Sequence, residues 1–293
     1  MINPNVKNLT FRSQYWSDPQ AKAAFKRFIL EIHGLNFSKW DEQGFWDEAY
    51  TPFSFFIGEE VVASVCIYLL DAIVQGKPEK LIQISGVGTH QDWRRQGLSR
   101  KLTELGLDWA GKSPAGLFLF ADGDAIPYYE KTGFHAGNEY LHTGQITPTE
   151  SKKGLVKLDL SNPRTLQKVY SYAQRREPIS DNLSILNPKL LMFHALYTLS
   201  DLAYEIPKLD CIIFFKRQNQ QLHIYDILAP TLPDFDSILP FIALPDDRAV
   251  IFHFSADKMG LTHLEIQLLQ GENFYTREHF PIDPVIFPYT SRA

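Results

Sequence analysis

The sequence predicts an α/β fold with a mixed sheet, α+β in character, and it predicts that unit in tandem. Three observations carry the prediction. Between residues 10 and 145 the apolar pattern reads helix, helix, three strands, helix, strand, helix, strand. A similar order returns after a polar stretch at 147–154. One strand-to-helix junction, Leu81 to Leu102, has the composition of an anion-binding turn.

Taken in order, Asp18 to His33 reads as a helix, because Phe25, Phe28, Ile29 and Ile32 share one face and Gly34 follows as a stop. A second helix is expected over Ser38–Trp46. Phe53–Ile57 and Val61–Leu70 flank Gly58-Glu59-Glu60 and read as a hairpin. Leu81–Thr89 is the next strand. Leu98, Leu102, Leu105 and Trp109 then recur at the period of a helix with one buried face. A strand at 116–121, a short helix over 125–132 and a strand from Phe134 complete the first unit, residues 1–146.

The polar run Thr147–Gly154 reads as a linker. The second unit, 155–293, opens with a strand at Leu155–Leu160. A helix follows over Asn162–Arg176, with Asn162 as cap and Pro163 in the first turn. Leu190–Leu196 reads as a helix, and Cys211–Arg217 with Gln221–Leu228 as a hairpin. A helix at Asp234–Phe241, a strand at Ala249–Phe254 and strand-like runs near 261–269 and 273–280 close the order.

Composition bounds the function. The chain has 293 residues, 44% apolar and 13% aromatic, enough for two packed cores. Met1–Thr10 is polar and unlike a signal peptide, and Val61–Leu70 is too short to span a bilayer. The two cysteines, Cys66 and Cys211, each lie in an apolar run and read as buried free thiols of a cytoplasmic protein. Nine histidines show no metal-ligand spacing, so no metal is expected. A net charge of −5 with no basic block argues against nucleic acid and mildly suits a cationic amine.

The junction Gln91-Asp92-Trp93-Arg94-Arg95-Gln96-Gly97-Leu98-Ser99-Arg100-Lys101-Leu102 is the most informative segment. Gly97 lets an anion approach the backbone closely, and the first N–H groups of the helix lack internal partners. The surroundings suit a pyrophosphate. Gly86-Val87-Gly88 fails as a dinucleotide fingerprint, because Gln91 replaces the third glycine and the run lies within the strand. No triphosphate-loop pattern occurs.

Arg94-x-x-Gly97-x-Ser99 resembles the coenzyme-A loop of the GCN5-related N-acetyltransferases (GNAT), with Ser99 in place of the usual Gly or Ala. Ala125-Ile126-Pro127-Tyr128-Tyr129-Glu130-Lys131-Thr132-Gly133-Phe134 is similar to the segment that closes the coenzyme site in that family. The two motifs stand about thirty residues apart in the expected order, with a strand between them. The resemblance covers about residues 10–145 and implies the GNAT fold there; the echoed order of elements after the linker makes a degenerate second GNAT-like unit the expectation for the C-terminal half.

It also implies acetyl-coenzyme A as co-substrate and an amine of a small molecule or peptide as acceptor. Backbone groups of Val87, Gly88 and Thr89 would line the pantetheine arm and polarise the thioester, and those of Arg95, Gln96, Gly97, Leu98 and Ser99 would hold the pyrophosphate. Arg94 and Arg95 could add charge-assisted bonds. Arg100 and Lys101 read as surface cations of the helix. Tyr129 is the expected general acid, a phenol of pKa about 10 serving a thiol of about 8.5. Tyr128 reads as packing.

The base is not legible. Glu79, His90, Asp122 and Asp124 are neighbours in sequence only. Asp41, Glu42, Asp47 and Glu48, interleaved with Trp40, Phe45, Trp46 and Tyr50, form an acidic-aromatic patch that could attract a cation or be an ordinary amphipathic helix. In the second unit Pro230-Thr231-Leu232-Pro233-Asp234 replaces the arginine-glycine turn, so that copy should not hold the coenzyme.

The expected protein is a cytoplasmic N-acetyltransferase, a monomeric pseudo-dimer or a homodimer, with no nucleic-acid or membrane partner. Two alternatives stand beside it. One transfers a longer acyl group or acts on an oxygen acceptor; the other is a coenzyme-A-binding sensor or scaffold without turnover.

Overall fold

The computed structural model describes residues 8–111, 114–121, 123–148, 151–271 and 273–293. Asp122, named above, and Thr149 and Glu150 of the polar run lie outside the described residues.

In chain order the first half contains β1 (Thr10–Ser13), α1 (Pro19–His33), α2 (Ser38–Glu42), β2 (Tyr50–Ile57), β3 (Glu60–Val74) and β4 (Lys77–Thr89). Next come α3 (Leu98–Ala110), β5 (Gly116–Phe120), α4 (Ile126–Lys131), β6 (Phe134–Ala136) and β7 (Tyr140–Gln145). The second half contains β8 (Val156–Lys157), α5 (Pro163–Arg175), β9 (Leu183–Ile185), α6 (Pro188–Leu196), β10 (Ala203–Ile206), β11 (Cys211–Gln218) and β12 (Gln221–Leu228). It ends with α7 (Phe235–Ile242), β13 (Ala249–Phe252), β14 (Glu265–Leu268) and β15 (Phe274–Arg277).

Local chemistry explains most boundaries. Asp18 caps α1 by accepting from the N–H groups of Gln20 and Ala21, each at 3.0 Å. Gly34, left-handed at φ 69°, stops the helix. Asn162 caps α5 in the same way, with Pro163 in the first turn. The helix expected to reach Trp46 ends at Glu42, because the chain turns at Gly44 with φ +72°. The strand expected over Leu155–Leu160 shrinks to β8, because the Asp159 carboxylate accepts from the backbone and hydroxyl of Ser161 and turns the chain.

Two mixed sheets result. The first runs β1-β2-β3-β4-β5-β15-β6, with β9 added along β3; the second runs β14-β7-β13-β12-β11-β10-β8. Each contains one parallel pair, β4 with β5 and β12 with β13, across which α3 and α7 respectively connect. The fold is thus mixed α/β with a tandem arrangement of like units. The sheets also exchange strands. β15, from the far end of the chain, lies between β5 and β6, and β7, from the first half, lies between β13 and β14.

One apolar core joins the halves. Phe25, Phe28, Trp40 and Tyr68 from the first half share it with Tyr172, Leu190, Phe214 and Phe287 from the second. A separate cluster under α3 packs Leu98 and Leu102 on Ile67, Ile82 and Ile84. Among the described residues no helix is long and apolar enough to cross a membrane.

Candidate active site

The site begins with a defect in β4. Ser64 pairs with Gly88 and Cys66 with Ser85, so two steps along β3 match three along β4. That extra residue is a bulge, which bends the strand and turns backbone groups away from the ladder. Gly86 absorbs it at φ +53°, and a Cβ there would sit 3.1 Å from both Cys66 Sγ and the Tyr50 hydroxyl. On the other edge, pairing with β5 stops at Gln83–Phe118, while β4 continues to Thr89. Among the described residues no strand covers the β5-facing edge of Ile84–Thr89. A wedge therefore opens between two parallel strands.

α1 closes the wedge from one side. A Cβ on Gly88 would lie 2.9 Å from Ile32 Cγ2, 3.1 Å from Phe28 Cζ and 3.2 Å from His33 Nε2. Gly88 is glycine because the helix lies directly on the strand.

The turn after β4 is shaped by left-handed residues, Arg95 at φ 60° and Gly97 at φ 74°. Gly97 occupies the N-cap of α3, and no side chain among the described residues caps the helix, so its first N–H groups are left without partners there. Nothing lies within 4 Å of where a Gly97 Cβ would be. The Arg94 Nε donates to the Thr89 carbonyl at 3.1 Å, and the residue is otherwise exposed, as is Arg95. Ser99 has its own use: its hydroxyl lies 2.7 Å from that of Thr89 and ties the helix start to the strand end.

These residues line a cleft of about 910 Å³ that includes Val87, Gly88, Thr89 and all six residues from Arg94 to Ser99. Open space, bare amides and flanking arginines fit a diphosphate. Tyr129, on α4, is 7% exposed, and its ring lies against Tyr128 and Phe134. A second, smaller cleft of about 180 Å³ lies beyond it, walled by Phe37, Trp40, Tyr50, Tyr68, Phe120 and Phe193. Four residues line both clefts: His33, Val87, Ala125 and Tyr129. Only two of these carry an ionisable side chain, Tyr129 and His33. The sequence offered no signal for His33, which closes a helix on an unremarkable face.

The remaining candidates are scattered. Asp124 is exposed on the rim of the larger cleft. Glu79 is exposed at the opposite end of β4. His90 lies 3.6 Å from Glu31 and 3.7 Å from Asp92, outside the lining of either cleft. Arg100 pairs with Glu104 at 3.0 Å, and Lys101 sits 5.6 Å over the Phe55 ring. Tyr128 is half-buried, and burial pushes its hydroxyl above the usual phenol range.

The acidic-aromatic patch separates into two parts. Its aromatics, Trp40, Phe45, Trp46 and Tyr50, are buried. Its acids turn elsewhere: Asp41 is held by Lys22 and Lys26, Asp47 by Lys189 at 3.1 Å, and Glu42 and Glu48 are exposed. Burial opposes ionisation of Asp41, but its two lysines outweigh it and hold the carboxyl below its usual range. No side chain of these four acids lines the aromatic cleft.

The corresponding helix start in the second half is filled from within. The Phe235 N–H donates to the Met259 carbonyl at 3.0 Å, and the Leu232 N–H to the Glu177 carboxylate at 2.9 Å. Asp234 stands at the N-cap of α7. Donors already used and a carboxylate in place leave little for a phosphate.

The arrangement matches known proteins. Residues 14–134 match the family model of the Acetyltransferase (GNAT) family. The sequence matches none of the functionally curated proteins. A conserved protein of unknown function from Enterococcus faecalis V583 has a similar structure, with a TM-score of 0.57 at 12% identity over 92% of this chain and 72% of that one. Eis1 from Mycobacterium abscessus gives 0.54 at 13% identity, over 91% and 73%. A GCN5-related N-acetyltransferase from Kribbella flavida gives 0.53 at 16% identity, over 93% and 71%. Such identities speak for the shared fold along nearly the whole chain. The bulged, splayed strand leading into an uncapped helix therefore lies within the segment 14–134 that matches the Acetyltransferase (GNAT) family model, in a chain that shares the tandem form of that fold.

Proposed function

We propose that the protein is an acyl-coenzyme-A-dependent N-acyltransferase that moves an acetyl group from acetyl-coenzyme A to a primary amine of a small molecule or peptide. The observation that carries this reading is the meeting of two clefts at His33, Val87 and Tyr129, one lined by the bare helix start and one by apolar walls. A donor and an acceptor can reach each other only at such a junction.

The chain's own groups then divide the work. The N–H groups of Arg95, Gln96, Gly97, Leu98 and Ser99 hold the diphosphate, and the Arg94 and Arg95 guanidinium groups add charge at its edge. The unpaired edge of β4 at Val87, Gly88 and Thr89 aligns the pantetheine arm and directs backbone donors at the thioester oxygen. The thioester supplies an activated carbonyl carbon, to which the amine nitrogen bonds as the carbon–sulfur bond breaks. His33 accepts the proton that the nitrogen loses, and the Tyr129 hydroxyl gives one to the departing sulfur. The buried free thiols Cys66 and Cys211 are consistent with a cytoplasmic protein.

The test has two stages. Titration calorimetry should give heat with coenzyme A and with acetyl-coenzyme A. Tyr129→Phe should then leave donor affinity nearly unchanged and lower amine-dependent thiol release by about 10²- to 10⁴-fold, the usual range for a lost acid or base. Absence of heat with either coenzyme, or full turnover in the variant, overturns the reading. Tight coenzyme binding with no release to any amine would point to a sensor.

A further inference from the structure

The smaller cleft is built for a particular kind of acceptor. Its walls are Phe37, Trp40, Tyr50 and Tyr68, each 3% exposed or less, with Phe120 and Phe193 completing the ring. None of its described lining residues is Asp, Glu, Lys or Arg. A polycation placed there would surrender the hydration of every extra charge with no Asp or Glu side chain among the described lining residues to meet it, which is costly in an apolar setting. Of the acids nearest in sequence, Asp41 is already paired with Lys22 and Lys26 and Asp47 with Lys189, while Glu42 and Glu48 are exposed and line no part of the cleft.

Size sets a second limit. The volume is about 180 Å³. Apolar cavities of about 150 Å³ take up a single benzene ring, so one ring with a short arm fits and a multi-ring polyol does not. Aromatic walls favour an aromatic body through offset and edge-to-face contacts.

The third feature is a polar atom out of place. Tyr68, on β3, lines the cleft, is 1% exposed, and its hydroxyl has no hydrogen-bond partner among the described residues. Burying a hydroxyl unsatisfied costs free energy, and most buried hydroxyls avoid it. The neighbouring Tyr50 hydroxyl, by contrast, is met by Ser85 at 3.2 Å. Tyr68 opposes Gln83 in the β3–β4 register, three residues before Gly86. Tyr68 thus enters the cleft from the stretch of β3 that faces β4 before the bulge, whereas Val87, where the amine must meet the thioester, lies after it.

We propose that the acceptor is a primary arylalkylamine, one aromatic ring on a short chain, with a hydrogen-bonding substituent on the ring that the Tyr68 hydroxyl engages. The inference rests on the acyltransferase reading and names the substrate class of that site. His33 and Tyr129 lie where the two clefts meet, and Tyr68 lines the smaller cleft alone.

The experiment measures acetyl-coenzyme-A-dependent thiol release with four amines: 4-hydroxyphenethylamine, phenethylamine, spermidine and kanamycin. The hydroxylated arylalkylamine should have the highest kcat/KM, about tenfold above phenethylamine, the size of one neutral hydrogen bond. Spermidine and kanamycin should lag further behind. In Tyr68→Phe the tenfold ratio should fall to about one. A second readout guards against misfolding: because the hydroxyl has no partner among the described residues, Tyr68→Phe should keep or raise the Tm of the free protein. 4-Hydroxyphenethylamine should stabilise the coenzyme-loaded parent more than the coenzyme-loaded variant.

Preference for spermidine or kanamycin, or an unchanged ratio in Tyr68→Phe, overturns the proposal. So does preference for hexanoyl- over acetyl-coenzyme A, which would make the cleft a seat for an acyl tail. Coenzyme heat measured beforehand separates the failures. Heat with an inverted amine ranking defeats the substrate class alone, and no heat defeats the acyltransferase reading as well.

Discussion

Gly97→Ala offers the sharpest test of the diphosphate site, because a matched control exists in the same chain. Gly97 and Gly76 have nearly equal φ, 74° and 75°, and at neither does any atom lie within 4 Å of the point a Cβ would occupy. Gly76 lies in the β3–β4 hairpin, at the other end of the strands from the cleft. Alanine at either site forces an L-residue into left-handed backbone, at about 1–2 kcal/mol. Both variants should therefore show similar small losses of Tm. Only the Gly97 methyl projects into the space where the diphosphate would meet the amides. Loss of one hydrogen bond to a charged group costs about 1.5–3 kcal/mol, or about 10- to 150-fold in Kd for coenzyme A. Calorimetry on the two variants and the parent makes the comparison. Equal coenzyme affinity in Gly97→Ala and Gly76→Ala would refute the placement of the diphosphate.

Three further outcomes are expected. Arg94→Glu should weaken coenzyme binding at about 50 mM salt far more than at about 500 mM, because the exposed guanidinium acts through a screened field; a salt-independent loss would mean that the Thr89 contact, not the charge, matters. Burial holds His194 down to about 4 and His253 down to about 3, so both are neutral in the folded protein at pH 7. The unfolded chain takes up protons near pH 6.5, so this stability is complete above that pH and is lost as pH falls toward 4, by about 1.4 kcal/mol per unit for each histidine. Urea midpoints at pH 7 and pH 5 check the sign, and equal midpoints would contradict it. Tryptic cleavage at the exposed Lys152 or Lys153 should leave the two fragments co-eluting in native buffer, because β7 and β15 each pair within the other half's sheet. Separation of the fragments without denaturant would show that the exchanged strands do not hold them.

What the sequence made legible was local. The Arg94–Ser99 turn, the caps at Asp18 and Asn162 and the hairpin at Asn219-Gln220 depend on residues within a few positions of one another. Pattern alone can read such features. The strand exchange was not legible, because Tyr140–Gln145 and Phe274–Arg277 are short, and their partners are chosen by which edges the sheets leave open. β9 and β10 escaped notice for the same reason; three or four residues carry too little periodicity. The acceptor cleft was the hardest part. Trp40, Tyr50 and Tyr68 look like core residues, and they are core residues on one side, with a cleft on the other. The acids beside them drew attention toward an acidic patch for a cation, but the pairing of Asp41 and Asp47 with lysines is a tertiary fact.

The second half explains why the chain carries a copy of the fold without the copy's chemistry. Leu190 and Phe193 of α6 form one wall of the aromatic cleft, and the Ala293 backbone is clasped to the Gln83 amide by bonds of 2.8 and 3.0 Å. Arg292 reaches back to Glu139 and stacks 4.7 Å over Phe120, another wall residue. A lone first half would leave Trp40, Tyr68 and Phe118 facing water and would lack β15 between β5 and β6. Covering that surface requires a rigid partner of matching curvature, and a second sheet of the same twist supplies one. On the proposed reading the second half serves as a wall, and the mouth of α7 then has no reason to stay open. Filling it with Asp234, Glu177 and the Met259 carbonyl stabilises the wall and removes a competing anion site. On that reading the far side of the aromatic cleft is held narrow because Leu190 and Phe193 sit on a packed helix instead of a loop.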